Sequence, residues 1–358
     1  MRENPAPRPA EDATPYPLMT RLRPSWSTVP RPLLTVLATL LVYVIGASAL
    51  LVGTVLLLAV LPGVNVALGV TSGDPASPLD VGLALAMGAL WLPAGMVGVR
   101  VGGWRPLGTV WSVEARWRRV MLRALGPWVV GGALLVVAAA AVAGALVGPA
   151  DGVAAGSAAD AGSTAGAGSA PSVAALLALA VVVLVLAPLQ AAGLELVLRG
   201  IVLQAAGTWI RTPLAGVLAA AAVTLIGREL SAPVLIPALT VAVCAAVLAW
   251  RSGGLELPIA LTTALTVPSL LVSALAAGTG AGAGVAALVA GVSAPGTSGA
   301  ALAAPGAPAA LAGGIAAAVV LVLITLLLMV RLGRHEGTSP LTPTVRPTDL
   351  EAPAAVAV

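Results

Sequence analysis

The sequence has little with which to face water. Charged residues are 9% of its 358 positions against 59% hydrophobic ones, and the mean hydropathy is +1.04. A soluble globule of this size needs far more polar surface, so a bilayer is the natural solvent. Lysine and phenylalanine are missing; all 18 basic residues are arginine. With abundant Ala, Gly, Val and Pro, this is the bias of GC-rich coding and carries no functional information. The single cysteine, Cys244, lies inside an apolar run, which excludes an intrachain disulfide and a cysteine-based metal cluster. The formal net charge is +4 and the pI near 10.5. The arginines are scattered between apolar blocks and form no basic face with stacking aromatics, which argues against a nucleic-acid partner.

What is present is a series of long apolar runs. A spanning helix needs about 20 apolar residues, and in lipid each backbone polar group must be satisfied within its own helix or a closed barrel. Runs at 33–61, 81–99, 128–147, 173–198, 214–227, 234–250, 257–276 and 311–330 therefore predict an all-α, polytopic transmembrane bundle of about eight helices. The run at 214–227 is the shortest.

The arginines orient this bundle. Arg2, Arg8, Arg21, Arg23 and Arg31 precede the first run, and Arg100, Arg105, Arg116, Arg118, Arg119 and Arg123 fill the second connection. Arg211, Arg251, Arg331, Arg334 and Arg346 mark later loops of the same side, while the alternate loops carry Asp74, Asp80, Asp151 and Asp160. By the positive-inside rule both termini are cytoplasmic, in a multi-pass protein of the cell membrane. Residues 1–32 lack the pattern of a signal peptide and read as a disordered, proline-rich cytoplasmic arm, and 331–358 as a disordered tail. Residues 33–78 comprise the first helix and an exterior loop; 278–310, rich in Gly, Ala and Pro, reads as a flexible exterior loop before the last helix at 311–330. The connection 104–125 interleaves arginine with Trp111 and Trp117. It fits a helix lying along the inner leaflet or a solvated basic loop.

Ionisable residues inside a span are costly, so each is a candidate site or half of a structural pair. Glu195 and Arg199 stand four apart and share a helix face, where an ion pair and a chemical role are both open; Arg228 and Glu229 end the fifth run. The glycine clusters near 166 and 278 follow no strand and carry no Gly-Lys-Ser/Thr, so they are not phosphate loops.

The stretch APLQAAGLELVLRGIVLQAAG from Ala187 to Gly207 resembles the first motif of the CPBP family, the type II CAAX prenyl endopeptidases and bacteriocin-processing membrane proteins. That motif reads Glu-Glu-x-x-x-Arg-Gly; here it is Leu194, Glu195, Leu196, Val197, Leu198, Arg199 and Gly200. The stretch from Arg251 to Leu265 is similar to the approach to the family's last motif, whose histidine and asparagine positions fall on Thr262 and Thr266. A Phe-x-x-x-His element corresponds to TLIGRE, with Arg228 or Glu229 in the histidine's place. The basic connection is similar to the arginine-rich loop of actinobacterial members.

The resemblance covers residues 79–277 and implies an intramembrane metallo-endopeptidase core with a divalent metal such as zinc. It also implies that the chemistry has decayed. The one histidine, His335, lies in the tail, and neutral threonine is a weak ligand and no base near neutral pH. The site positions are Glu195, Arg199, Arg228, Glu229, Thr262 and Thr266, with no resident cofactor expected. A new carboxylate pair of Glu195 and Glu229 is the minor alternative. The leading expectation is a membrane binding or scaffold protein whose partner is a membrane peptide or transmembrane helix; an active endopeptidase with substituted ligands and a transporter are the competing classes. The fourth to seventh spans should form the core, with the first and last peripheral.

Overall fold

The computed structural model describes residues 14–60, 75–148, 172–210, 212–277, 279–293 and 308–346. Among these the chain is all-α, with two isolated β-bridges and no strand. Seven helices are long and apolar enough to cross a membrane: α1 (Pro30–Ala59), α2 (Pro78–Gly102), α3 (Arg119–Val147), α4 (Val173–Trp209), α6 (Ala232–Ser252), α7 (Glu256–Leu275) and α9 (Pro308–Glu336). Two shorter apolar helices, α5 (Pro213–Leu225) and α8 (Gly280–Val292), complete the set.

Local sequence places the helix ends. Ser77, Ser172 and Thr279 cap α2, α4 and α8 by accepting from Asp80, Ala175 and Gly282 backbone N–H groups. Gly253, at φ +69°, stops α6 in the left-handed conformation that glycine adopts without a Cβ penalty. Within α2 and α4 the hydrogen bonding widens to π geometry at Gly98–Gly102 and Leu196–Val202; the second segment begins directly after Glu195 and carries Arg199.

Four of the long helices lie around α8. It packs on α3, α6, α7 and α9, and nearly all its side chains are buried. Its glycines make this possible: a Cβ on Gly284 would overlap the carbonyl oxygen of Ala140 on α3, and one on Gly313 of α9 would overlap Gly284 itself. Close backbone approach through small residues is how helices associate in lipid, where apolar area alone gives no preference. The expectation of one exterior loop over 278–310 is thus corrected over Gly280–Val292: composition signalled flexibility, but the small residues serve packing. Residues 294–307 lie outside the described ones, as does most of the connection before α4.

The peripheral assignment needs correction at one end. The most apolar stretch of α1 has no buried residue; α1 leans on α2 through the stacked rings of Tyr43 and Trp91, 3.7 Å apart. α9, by contrast, is central, with its most extensive packing against α3 and further contact with α6 and α8.

One end of the bundle is closed by the terminal segments. Tyr16–Leu22 forms a 3-10 turn with Tyr16 and Met19 fully buried, Pro15 bridges to Val345, and Arg346 N–H donates to Thr14. The expected disordered arm is therefore folded from residue 14 onward, and the expected tail is helical to Glu336 and then packed to Arg346. Burial of specific side chains, Tyr16 above all, overrides the proline-rich composition. The same end receives the 104–118 connection, which is neither a surface helix nor a solvated loop. It has one helical turn, Gly108–Trp111, with Val110 and Val113 fully buried, and Val113 N–H donates to Gly253 and Leu255 N–H to Trp111.

With Thr14 and Arg346 side by side, the chain must traverse the bundle an even number of times. The seven long helices give an odd number, and α5 with the turn after it supplies the eighth passage. α8 then enters from the end where α7 leaves. At thirteen residues it is about 20 Å long, short of a hydrocarbon core of about 30 Å. It is re-entrant, and its C-terminus stops inside the bundle.

Candidate functional site

The sequence-predicted positions converge only in part. Glu195, at the end of the regular part of α4, is 1% exposed. Its Oε1 accepts from Arg199 Nη1 at 3.2 Å and from Thr262 Oγ1 of α7 at 2.7 Å. Arg199 turns its other terminal nitrogen to the carbonyls of Val241 and Ala242 on α6, the latter at 3.1 Å. These carbonyls border Cys244, one turn further along α6, which is buried and free. Glu195, Arg199 and Thr262 thus tie α4, α6 and α7 together at one level.

Arg228 reaches the same place from the loop after α5. Its guanidinium donates to the carbonyls of Thr224, Ala290, Gly291 and Ser293, so it caps the inward-facing C-terminus of α8. Unpaired terminal carbonyls inside a membrane protein are costly, and a cation there also complements the helix dipole. Arg228, not Glu229, occupies the shared region: Glu229 is exposed. The two acids therefore form no carboxylate pair. Thr266 is buried, but its hydroxyl donates to Thr262 O one turn back along α7. His335 is exposed on the last turn of α9.

Glu195, Arg199, Arg228 and Thr262 line a small cavity with Thr224, Val241 and the last residues of α8. Its enclosed volume is about 20 Å³, room for one water. Glu195 Oε2 and Arg199 Nε are buried without a protein partner. One is an acceptor and the other a donor, so a single water can satisfy both.

The divalent metal implied by the family resemblance does not fit this donor set. One carboxylate and a neutral hydroxyl are available, and two guanidiniums stand where a cation would have to sit. Among the described residues no group of three or more His, Cys, Asp or Glu side chains comes together.

A second polar cluster, at the end bearing the termini, was not legible in the sequence. Glu256 is fully buried at the start of α7 and binds Arg118 through both oxygens, at 3.1 and 3.0 Å. Arg251 is fully buried among Glu336, Thr338, Thr344 and the carbonyls of Ser339 and Pro340. Arg105 donates to Gln204, which in turn donates to Thr109 O at 3.0 Å. Burial lowers the Arg105 pKa to about 10, which leaves it cationic at neutral pH. The one available signal was Glu256 itself, an acid opening an apolar run beside arginines.

Fold and site define a multi-pass, all-α membrane protein with polar networks inside and at one end of its bundle. No protein-family model matches the chain, and no curated protein or solved structure does.

Proposed function

We propose that this is a CPBP-like protein of the cell membrane, with both termini cytoplasmic, whose site holds its helices together and binds a membrane peptide or transmembrane helix without cutting it. The observation that carries this reading is the state of Glu195: one oxygen is occupied by Arg199 and Thr262, and the neighbouring cations suit neither a metal nor a strong base. The cytoplasmic assignment rests on the arginine distribution. Purified protein offered prenylated and transmembrane peptides should bind them and leave them intact. Specific cleavage that disappears in Glu195→Ala would overturn the proposal in favour of an active endopeptidase.

One observation favours a second reading. α8 is too short to cross, α5 does so only with the turn after it, and α8 ends at a polar cavity within the bundle, as interrupted helices do at transporter sites. Solute flux in proteoliposomes that is lost in Glu195→Gln would support transport; its absence over a broad solute panel would leave the binding role.

A further inference from the structure

A groove at the end bearing the termini lies between the start of α1, the end of α2 and the terminal part of α4. Thr20, Trp26, Arg31, Thr35 and Arg105 line it. Its enclosed part holds about 10 Å³, room for one water-sized oxygen, and it is partly open to the outside. Two cations face this space. Arg105 is 3% exposed, and its bond to Gln204 uses one terminal nitrogen. Arg31, half-buried on the first turn of α1, makes a cation–π contact with Trp104, 4.7 Å from the ring centroid. Among the described residues no carboxylate pairs with either. A buried cation facing a cavity without a counter-charge calls for an anion.

The position identifies the source of that anion. Half-exposed Trp104 lies against Arg31 of the groove, and exposed Val29, Leu33, Arg100 and Trp209 stand within four residues in sequence of its lining residues Arg31, Pro32, Gly103 and Ala205. Tryptophan and arginine at this level, next to exposed aliphatic side chains, mark the boundary between headgroups and acyl chains.

We infer that this groove binds one anionic phospholipid, with a phosphoryl oxygen between Arg31 and Arg105 and the acyl chains along the exposed face of α1. The lipid adds to the packing of α1 on α2, whose Gly98 and Gly102 lie against Leu34, Thr35 and Thr39, and extends it toward α4. This inference is independent of the reading of the Glu195 site.

The test uses the full chain in nanodiscs containing phosphatidylglycerol or phosphatidylcholine alone, followed by native mass spectrometry of the lipids retained. Wild type should keep one phosphatidylglycerol that millimolar inorganic phosphate does not displace. Arg31→Gln should reduce retention about tenfold, the loss of one charge-assisted contact. Arg105→Lys, which keeps charge and lets the Gln204 contact survive, should give an intermediate loss. Arg334→Gln, which removes an exposed arginine elsewhere at the same end, should retain the lipid as wild type does. Equal retention of phosphatidylcholine, or equal loss in Arg334→Gln, would overturn the site as nonspecific attraction. Displacement by inorganic phosphate would overturn the lipid as its ligand.

Discussion

Arg199 donates to Glu195 Oε1 at 3.2 Å and leaves Oε2 of the same carboxylate without a protein partner. Removing one member of a buried pair strands the other, typically at a cost of about 3–5 kcal/mol. Glu195→Ala should therefore lower the unfolding temperature in nanodiscs substantially. The double variant Glu195→Met with Arg199→Met should recover most of the loss, because no charge is left unpaired. Equal destabilisation in the single and double variants would count against a structural pair.

Arg228 makes a separable prediction, because it serves the end of α8 and not the carboxylate. Arg228→Met removes donors from the carbonyls of Ala290, Gly291 and Ser293, and each unpaired buried acceptor costs about 1–3 kcal/mol. Hydrogen exchange should accelerate in the last turn of α8 before it does in α3 or α6. Glu229→Ala, at an exposed position, should change neither exchange nor stability. Unchanged protection at Val289–Val292 in Arg228→Met would mean that the cap is dispensable.

Much of the fold was legible because the membrane simplifies the code. Each of the seven long helices overlaps an apolar run, and the fifth, shortest run is the helix that falls short of a full span. The re-entrant α8 was not legible, since Gly282, Gly284 and Gly291 read as a linker unless the backbones they admit are known. The Glu195 and Arg199 pairing follows from helical spacing, whereas its contact with Thr262 depends on the meeting of α4 and α7, 67 residues apart in sequence. Arg105, Arg118 and Arg251 were read as topology signals. They are also buried donors, a role that arginine counting cannot distinguish.

The glycines that matter can be separated from those that do not. Gly284→Leu should disrupt the α3, α8 and α9 contact, where a Cβ alone would overlap the Ala140 carbonyl, and leave little folded protein. Gly53 has nothing within 4 Å of a Cβ, and Gly53→Ala should be neutral or stabilise by up to about 1 kcal/mol through helix propensity. Expression and thermal unfolding of the two variants side by side provide the measurement. Similar behaviour of both would show that α8 is not held by close packing.

The bridge between Pro15 and Val345 requires both terminal segments to lie on one face of the membrane, with the α7 to α8 turn on the other. In a Cys244→Ser background, single cysteines at exposed Thr28, Ser339 and Thr279 report these faces to a membrane-impermeant maleimide. In inverted vesicles Thr28→Cys and Ser339→Cys should label together, and in intact cells only Thr279→Cys should. A shared but reversed pattern would preserve the even number of passages and overturn the cytoplasmic assignment drawn from the arginines. Labelling of Thr28→Cys and Ser339→Cys from opposite faces would be incompatible with the clasp itself, because the chain would then need an odd number of crossings.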